Sequence, residues 1–236
     1  LEATVAAMEA ELTLAEHKAP PPGRIVHLEV STPAVLRTLG RDLAQLESPR
    51  HPALTLSQKH SEILTLLACH PAGLSAESLS ALVYGEGRPV TTIRAEVSRL
   101  KTVLSHAQSD LEIHSRPYRL SGPVETDIHR LKAFVSRGAH RVALAKYAGP
   151  VLPDSHAPGI EKLREDTHLL LREALMQEAS IDVLLDYAHL EDCRFDEQLW
   201  RMCLELLPPK SPRRAEVLLR LEAIEAWCND LQPSDS

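Results

Sequence analysis

The sequence predicts a mainly α-helical protein with a small β component, and three observations carry that reading. Hydrophobic residues make up 44% of the 236 positions but aromatics only 3%, so the core must be built from Leu, Val, Ile and Ala, a composition that favours helices. From Ser57 onward apolar residues recur at spacings of three and four over most of the chain. Short alternating stretches bounded by Gly or Pro are confined to 24–56 and 111–120. The length suits one large or two ordinary domains, and 25% charged residues is the balance of a soluble globular protein.

Taken in order, Val5, Met8, Leu12 and Ala15 form a heptad-like seam in residues 1–18. It reads either as a coiled coil that pairs two chains into a homodimer or as an amphipathic helix at a truncation point. The first residue is Leu1 and not Met, which suggests a further segment, such as a sensory domain, upstream. Ala19-Pro20-Pro21-Pro22-Gly23 ends any helix and makes a stiff linker. Residues 25–30, 35–39, 43–47 and 53–56 alternate over short spans and read as the strands of a meander.

Ile63, Leu64, Leu67 and Ala68 line one face of a helix expected over 58–69, stopped by His70-Pro71-Ala72-Gly73. Ser75 is a natural N-cap for a second helix reaching Tyr84. Gly85-Glu86-Gly87-Arg88-Pro89 is a tight turn, after which Ile93, Val97, Leu100 and Leu104 set the apolar face of a third helix. Leu111–Ser115 and Tyr118–Leu120, separated by Arg116-Pro117, form a β-hairpin. Helix, loop, helix, turn, longer helix and hairpin within 54–122 is the order of a winged helix-turn-helix. The fold expected is therefore mainly α: a winged helix with a small N-terminal sheet and a wing hairpin, followed by an array of helical hairpins. Helical patterns with short breaks span 126–137, 139–147, 160–178, 181–189, 195–206 and 213–230. The domains read as 1–23 (linker), 24–122 (winged helix) and 123–236 (helical).

The net charge of −7 is unevenly distributed. Residues 33–122 hold 10 basic and 8 acidic side chains, a net +2, against −3 for 1–32 and −6 for 123–236. A local basic face decides binding to phosphate, and the middle third is the positive part. A recognition helix needs an apolar face to seat it and an opposite face that reaches bases. Thr91, Thr92, Arg94, Ala95, Ser98, Arg99 and Lys101 surround the apolar face of the third helix. Arg94 or Arg99 suits guanine, and Lys101 or the threonines suit phosphate. Glu96 either reads cytosine or faces solvent or a salt bridge. Arg116 and Arg119 stand on the hairpin for the adjacent minor groove or backbone. The DNA-facing set is thus Thr91, Thr92, Arg94, Ser98, Arg99, Lys101, Arg116, Tyr118 and Arg119.

Leu54–His60, the run Ile63–Leu67, the helix from Thr92 to Leu104 and Arg116-Pro117-Tyr118-Arg119-Leu120 resemble the OmpR/PhoB-type winged helix. That family carries a short antiparallel sheet before its first helix, to which residues 35–56 are similar. Its wing commonly ends in Gly-x-Gly-Tyr-Arg-Leu, and Arg116-Pro117 replaces those glycines here. Thr126-Asp127, Phe134 and Val142–Pro153, with the charged run Glu161 to Arg172, resemble the opening of the tetratricopeptide-like bacterial transcriptional activation domain. That arrangement is found in actinobacterial antibiotic-regulator-type activators, and related regulators are coupled to GAF sensors. The resemblance covers roughly residues 33–178. It implies a transcriptional regulator that binds double-stranded promoter DNA, with RNA polymerase or an upstream sensory domain as partner.

No apolar run is long enough for a membrane span and no signal segment is apparent, which points to the cytoplasm of a bacterial cell. Cys69, Cys193, Cys203 and Cys228 form no CxxC pair, and three of them sit in apolar helical patterns, so they read as reduced, packed thiols. The twelve histidines lack HxxxH or CxxC spacing, and no phosphate loop, GxSxG or pocketed carboxylate pair is present. Neither catalysis, a cofactor nor a metal is expected. The alternative reading from another class is a winged helix that has lost DNA binding and serves, with the helical array, as a protein-docking scaffold.

Overall fold

The computed structural model describes residues 33–230, and these belong to one compact unit. The heptad-like seam, the Pro-rich linker and the alternating stretch at 25–30 lie outside the described residues. What is described is mainly helical, with a small sheet at its N-terminal end.

Strands β1 (Ala34–Arg37), β2 (Gln45–Ser48) and β3 (His51–Thr55) make the expected antiparallel meander. Its register places Leu36 against Leu46 and Leu46 against Leu54, so the inward row is leucine. Leu36 and Leu46 are buried. A fourth strand, β6 (Val124–Thr126), adds parallel to β1 in the order β3-β2-β1-β6. Only three residues long, β6 is too short to announce itself by alternation, and the sequence reading gives no strand there. It ties the chain beyond residue 122 into the N-terminal sheet.

Helix α1 (Gln58–Cys69) is buried from His60 to Ala68, on every face. Two of its buried polar residues, Ser61 and Glu62, find partners, while the buried Thr65 hydroxyl has none. Ser61 Oγ accepts from the Ala44 amide at 2.9 Å, and the fully buried Glu62 carboxylate accepts from Lys59 (2.7 Å) and from Ser155 (2.8 Å). Helix α2 (Ala76–Tyr84) starts at Ser75, whose side chain accepts from the Ser78 amide at 3.0 Å, as its sequence position implied. Helix α3 runs Val90–His106. The hairpin follows as β4 (Ile113–His114) and β5 (Arg119–Leu120). Leu74, in the α1–α2 connection, exchanges both backbone hydrogen bonds with Tyr118, at 2.9 and 2.8 Å, in an isolated antiparallel bridge beside the two-stranded hairpin.

Helices α4 (Asp127–Val135), α5 (His140–Lys146), α6 (Pro158–Glu178), α7 (Ile181–Ala188), α8 (Glu197–Leu206) and α9 (Arg213–Asp230) complete the order, close to the boundaries read from periodicity. Hydrogen bonds and close packing fuse them to the first half. Asp127 accepts from the amides of Thr38 (2.7 Å) and Leu39 (2.9 Å) and from the Thr38 hydroxyl (2.9 Å). The turn after β1 bonds 148–152: the Gly40 amide donates to the Pro150 carbonyl, and the Leu152 amide to that of Thr38. Gly40, at φ +63°, lies so close to the Ala148 carbonyl that a β-carbon would collide with it. Gly159, in the first turn of α6, lets that helix sit directly on Leu66 and Leu82. Arg164 then locks the preceding loop by donating to the carbonyls of Val151, Leu152 and Ser155.

In the C-terminal half Tyr187, Leu199, Trp200, Cys203, Val217 and Ile224 form the buried seam between α7, α8 and α9. Arg172 of α6 grips Asp196 with two nitrogens, at 2.6 and 3.2 Å, while Asp196 also caps α8 by accepting from the Leu199 amide. The four cysteines are free thiols: Cys193 and Cys203 are buried, Cys69 half-buried and Cys228 exposed. Burial pushes the first three up to about 11, so they are protonated and inert near neutrality. Among the described residues, no helix is long and apolar enough to cross a membrane and no group of His, Cys, Asp or Glu is placed to hold a metal ion.

Candidate nucleic-acid interface

The outer surface of α3 is set by where its apolar residues point. Ile93, Val97, Leu100 and Leu104 are buried against α1 and α2. At 100° per residue, the line opposite that seam carries Thr91, Ala95, Ser98 and Thr102, all small and largely solvent-facing. A surface of this kind lets the helix backbone approach a ligand closely. Arg94 and Lys101, seven residues apart, flank the stripe on the hairpin side, and Arg99 flanks it on the side of α1.

Each flank is held differently. Arg94 is exposed and lines a cleft of about 560 Å3 with Ser75, Ala76, Glu77, Ser115, Arg116, Pro117 and Tyr118. Across this cleft the Glu77 carboxyl is held below its ordinary range, by its own backbone amide first, then by the Ser75 hydroxyl, with the Arg94 cation contributing. Lys101 Nζ donates to Ser115 Oγ at 3.0 Å and so links α3 to the hairpin. Arg99 is 65% exposed and donates to Glu96 Oε1 at 2.5 Å. The other oxygen of Glu96 lies 3.8 Å from Nε2 of His60 on α1. Burial drives the His60 imidazole toward its neutral form, against the pull of Glu96.

Gly73 fixes the hairpin tip. A β-carbon there would stand 2.8 Å from Pro117 Cγ and 3.0 Å from the Tyr118 carbonyl, so the tip rests on the glycine, whose φ is +90°. Arg116 itself takes the left-handed conformation, with φ +70°, that glycine adopts freely. The tip thus keeps a backbone shape suited to glycine while presenting a guanidinium. Arg116 and Arg119 are exposed, and Arg119 pairs across the hairpin with His114. Tyr118 is half-buried, with its backbone amide and carbonyl both used by Leu74.

The structure therefore gathers Arg94, Arg116 and Tyr118 around one cleft, with Lys101 reaching its border through Ser115. It puts Thr91 and Ser98 on the exposed stripe and Thr92 half-buried beside it, in the first turn of α3. Arg99 stands across the stripe, paired with Glu96. The DNA-facing set read from the sequence omits Thr102, Ser75, Glu77 and Ser115. Thr102 was accessible from the sequence, being four residues after Ser98 on the same helical face. The others come from separate elements, and only the packing of the hairpin brings them to α3. A second cleft of about 560 Å3, between the sheet and α4, also holds cations, but its Arg37 and Arg130 are engaged by Glu47 and Glu125 at 2.6 and 2.7 Å.

Sheet, helices and hairpin together define a mainly α-helical protein with a small N-terminal β-sheet. Residues 180–228, which include α7, α8 and most of α9, match a family described as "YTH3-like protein, third C-terminal helical domain". Over 225 residues the chain is 34% identical to the "Uncharacterized 47.3 kDa protein in thcA 5'region" of Rhodococcus erythropolis. The alignment takes in 95% of the chain and 49% of that relative, so the chain spans about half the length of the curated relative it matches.

Proposed function

We propose that the chain is a DNA-binding transcriptional regulator, with residues 24–122 a winged helix-turn-helix domain of the OmpR/PhoB type. In this reading α3 is the recognition helix, α2 and the 85–89 turn complete the helix-turn-helix, and the β4–β5 hairpin is the wing. Residues 123–236 serve as an activation-like helical region for protein contacts, with RNA polymerase or an upstream sensory domain as partner. The protein works in the cytoplasm without cofactor or metal.

One observation carries the reading. The exposed small-residue stripe of α3 is flanked by Arg94, Lys101 and Arg99, with Arg116 and Arg119 on the adjoining hairpin. Five cations on two neighbouring elements suit a groove bordered by phosphates, while the small residues between them let base edges come near.

Mobility shifts on genomic fragments recovered by selection test it. If most of those cations neutralise a phosphate, the log of the binding constant falls against log salt with a slope of about −3 to −5. Replacing Arg94 and Arg99 together by Ala abolishes specific binding, whereas exposed substitutions in α7–α9 leave it intact. The protein-docking scaffold reading predicts the reverse: no salt-dependent DNA binding, and no effect of the two arginines. The modest net charge of +2 over 33–122 is the observation that favours this second reading.

A further inference from the structure

We infer that Glu96 is a positioning residue that aims the Arg99 guanidinium at guanine and so fixes one base of the bound sequence. This rests on the DNA-binding reading above. Arg99 flanks the α3 stripe on the side away from the hairpin, and its long side chain is 65% exposed. A free arginine in that place samples many rotamers and favours phosphate as readily as a base edge. Glu96 changes this. Its side chain is only 19% exposed, set back toward α1 with one oxygen on Arg99 at 2.5 Å and the other facing the neutral His60 ring at 3.8 Å.

Glu96, one turn N-terminal of Arg99 and rotated toward α1, engages the terminal Nη1 of the guanidinium and leaves its Nε–Nη2 edge to donate elsewhere. A planar guanidinium held in this way matches the paired O6 and N7 acceptors of guanine, and immobilising it beforehand removes an ordering cost at binding. The carboxylate also repels phosphate, which discourages the sequence-independent alternative. Arg94, on the other flank, lacks such a carboxylate on α3: Glu77, across the cleft, belongs to α2.

The test is in vitro selection from random duplexes by the whole chain, followed by competition binding of wild type, E96A, E96Q and R99A against the selected site and its single-base variants. Wild type is expected to prefer guanine at one position by about tenfold or more, within the range of a bidentate arginine contact. R99A loses that preference. E96A reduces it to about threefold or less at that position alone, while its affinity for arbitrary duplex DNA holds or rises. E96Q, which can still accept from Arg99, retains most of it. Thermal melts confirm that the variants are folded. If wild type selects no sequence and binds no DNA, the DNA reading itself falls and takes the inference with it. If wild type selects a site but E96A leaves every preference unchanged, the inference alone is overturned. It is overturned equally if E96A erases a preference that R99A keeps, since Glu96 would then touch the base itself.

Discussion

At Gly159 the first turn of α6 meets α1 and α2 with no room for a β-carbon: Leu66 Cδ2 and Leu82 Cβ would each be 2.9 Å away. In an open helix, Gly→Ala stabilises by up to about 1 kcal/mol. Here the added methyl must displace the core Leu66 and the half-buried Leu82, a cost of about 1–3 kcal/mol. The expected result for Gly159→Ala is a net loss, seen as a lower urea midpoint with an unchanged slope. Asp127 is a second single residue with wide consequences, because its carboxylate satisfies the amides of both Thr38 and Leu39. Asp127→Ala leaves those donors without their partner, and at roughly 1–3 kcal/mol for each lost bond to a charged acceptor we expect about 3 kcal/mol of destabilisation by chemical denaturation. Asp127→Asn keeps an acceptor and should lose less. Neither residue stands out by type. Thr126-Asp127 looks in sequence like a helix start, which it is, while the bonds back to the sheet come from the fold.

At the scale of elements, the contacts of α7–α9 carry a pH dependence with a definite sign. His189 at the end of α7 bonds Glu216 of α9 at 2.8 Å and the Leu185 carbonyl at 2.6 Å, and these raise its pKa above the ordinary imidazole value. A raised pKa means that the pair contributes fully below the unfolded-state value, about 6.5, and is lost as pH climbs through the folded-state one. The effect is small, since the pair is largely exposed to solvent. Melting wild type and His189→Gln side by side from pH 5 to 8.5 should show a difference that shrinks toward high pH. Asp196 behaves oppositely. Burial works to raise its pKa, but Arg172 and the Leu199 amide outweigh that and hold the carboxyl below its usual range. Its contribution is present above the unfolded-state pKa, near 4, and disappears as pH falls through the lowered one. Asp196→Ala removes both the ion pair and the α8 cap, and a loss of about 2–3 kcal/mol at neutral pH is expected. As pH falls below the ordinary carboxylate range the difference between wild type and variant should shrink.

For the whole molecule, the two sides of residue 122 share structure on a scale that a linker would not produce. Strand β6 completes the sheet, the carboxylate of Glu62 reaches Ser155, and α6 covers Leu66 and Leu82. We therefore expect one cooperative unfolding transition, with coincident near- and far-ultraviolet dichroism curves. A fragment ending at residue 122 would expose the β1 edge and the leucines beneath α6, and should run as an aggregate on size exclusion where the whole chain does not. Two resolved transitions, or a well-behaved fragment, would show the halves to be independent.

Periodicity alone placed nearly every described helix, because helix formation follows an apolar stripe and its caps, and both are local. Ser75 capping α2, the glycine-rich turn after Tyr84 and the seam Ile93–Val97–Leu100–Leu104 were all legible in the chain. So were the arginines and lysine of α3 as a surface set, since a residue off the apolar stripe of a packed helix must face outward. The sequence could not reveal β6, whose pairing with β1 joins residues about ninety positions apart. Nor could it show that Glu62 is buried with a partner, or that Gly159 is a point of close approach between the halves. It left Glu96 open between solvent, cytosine and a salt bridge, and the pairing with Arg99 was decided by rotamers and by His60 on another helix. Local chemistry thus determined the helices and which of their faces are apolar. Tertiary packing decided which edges meet, and so which of the surface cations came together, because those contacts depend on distances that no local pattern encodes.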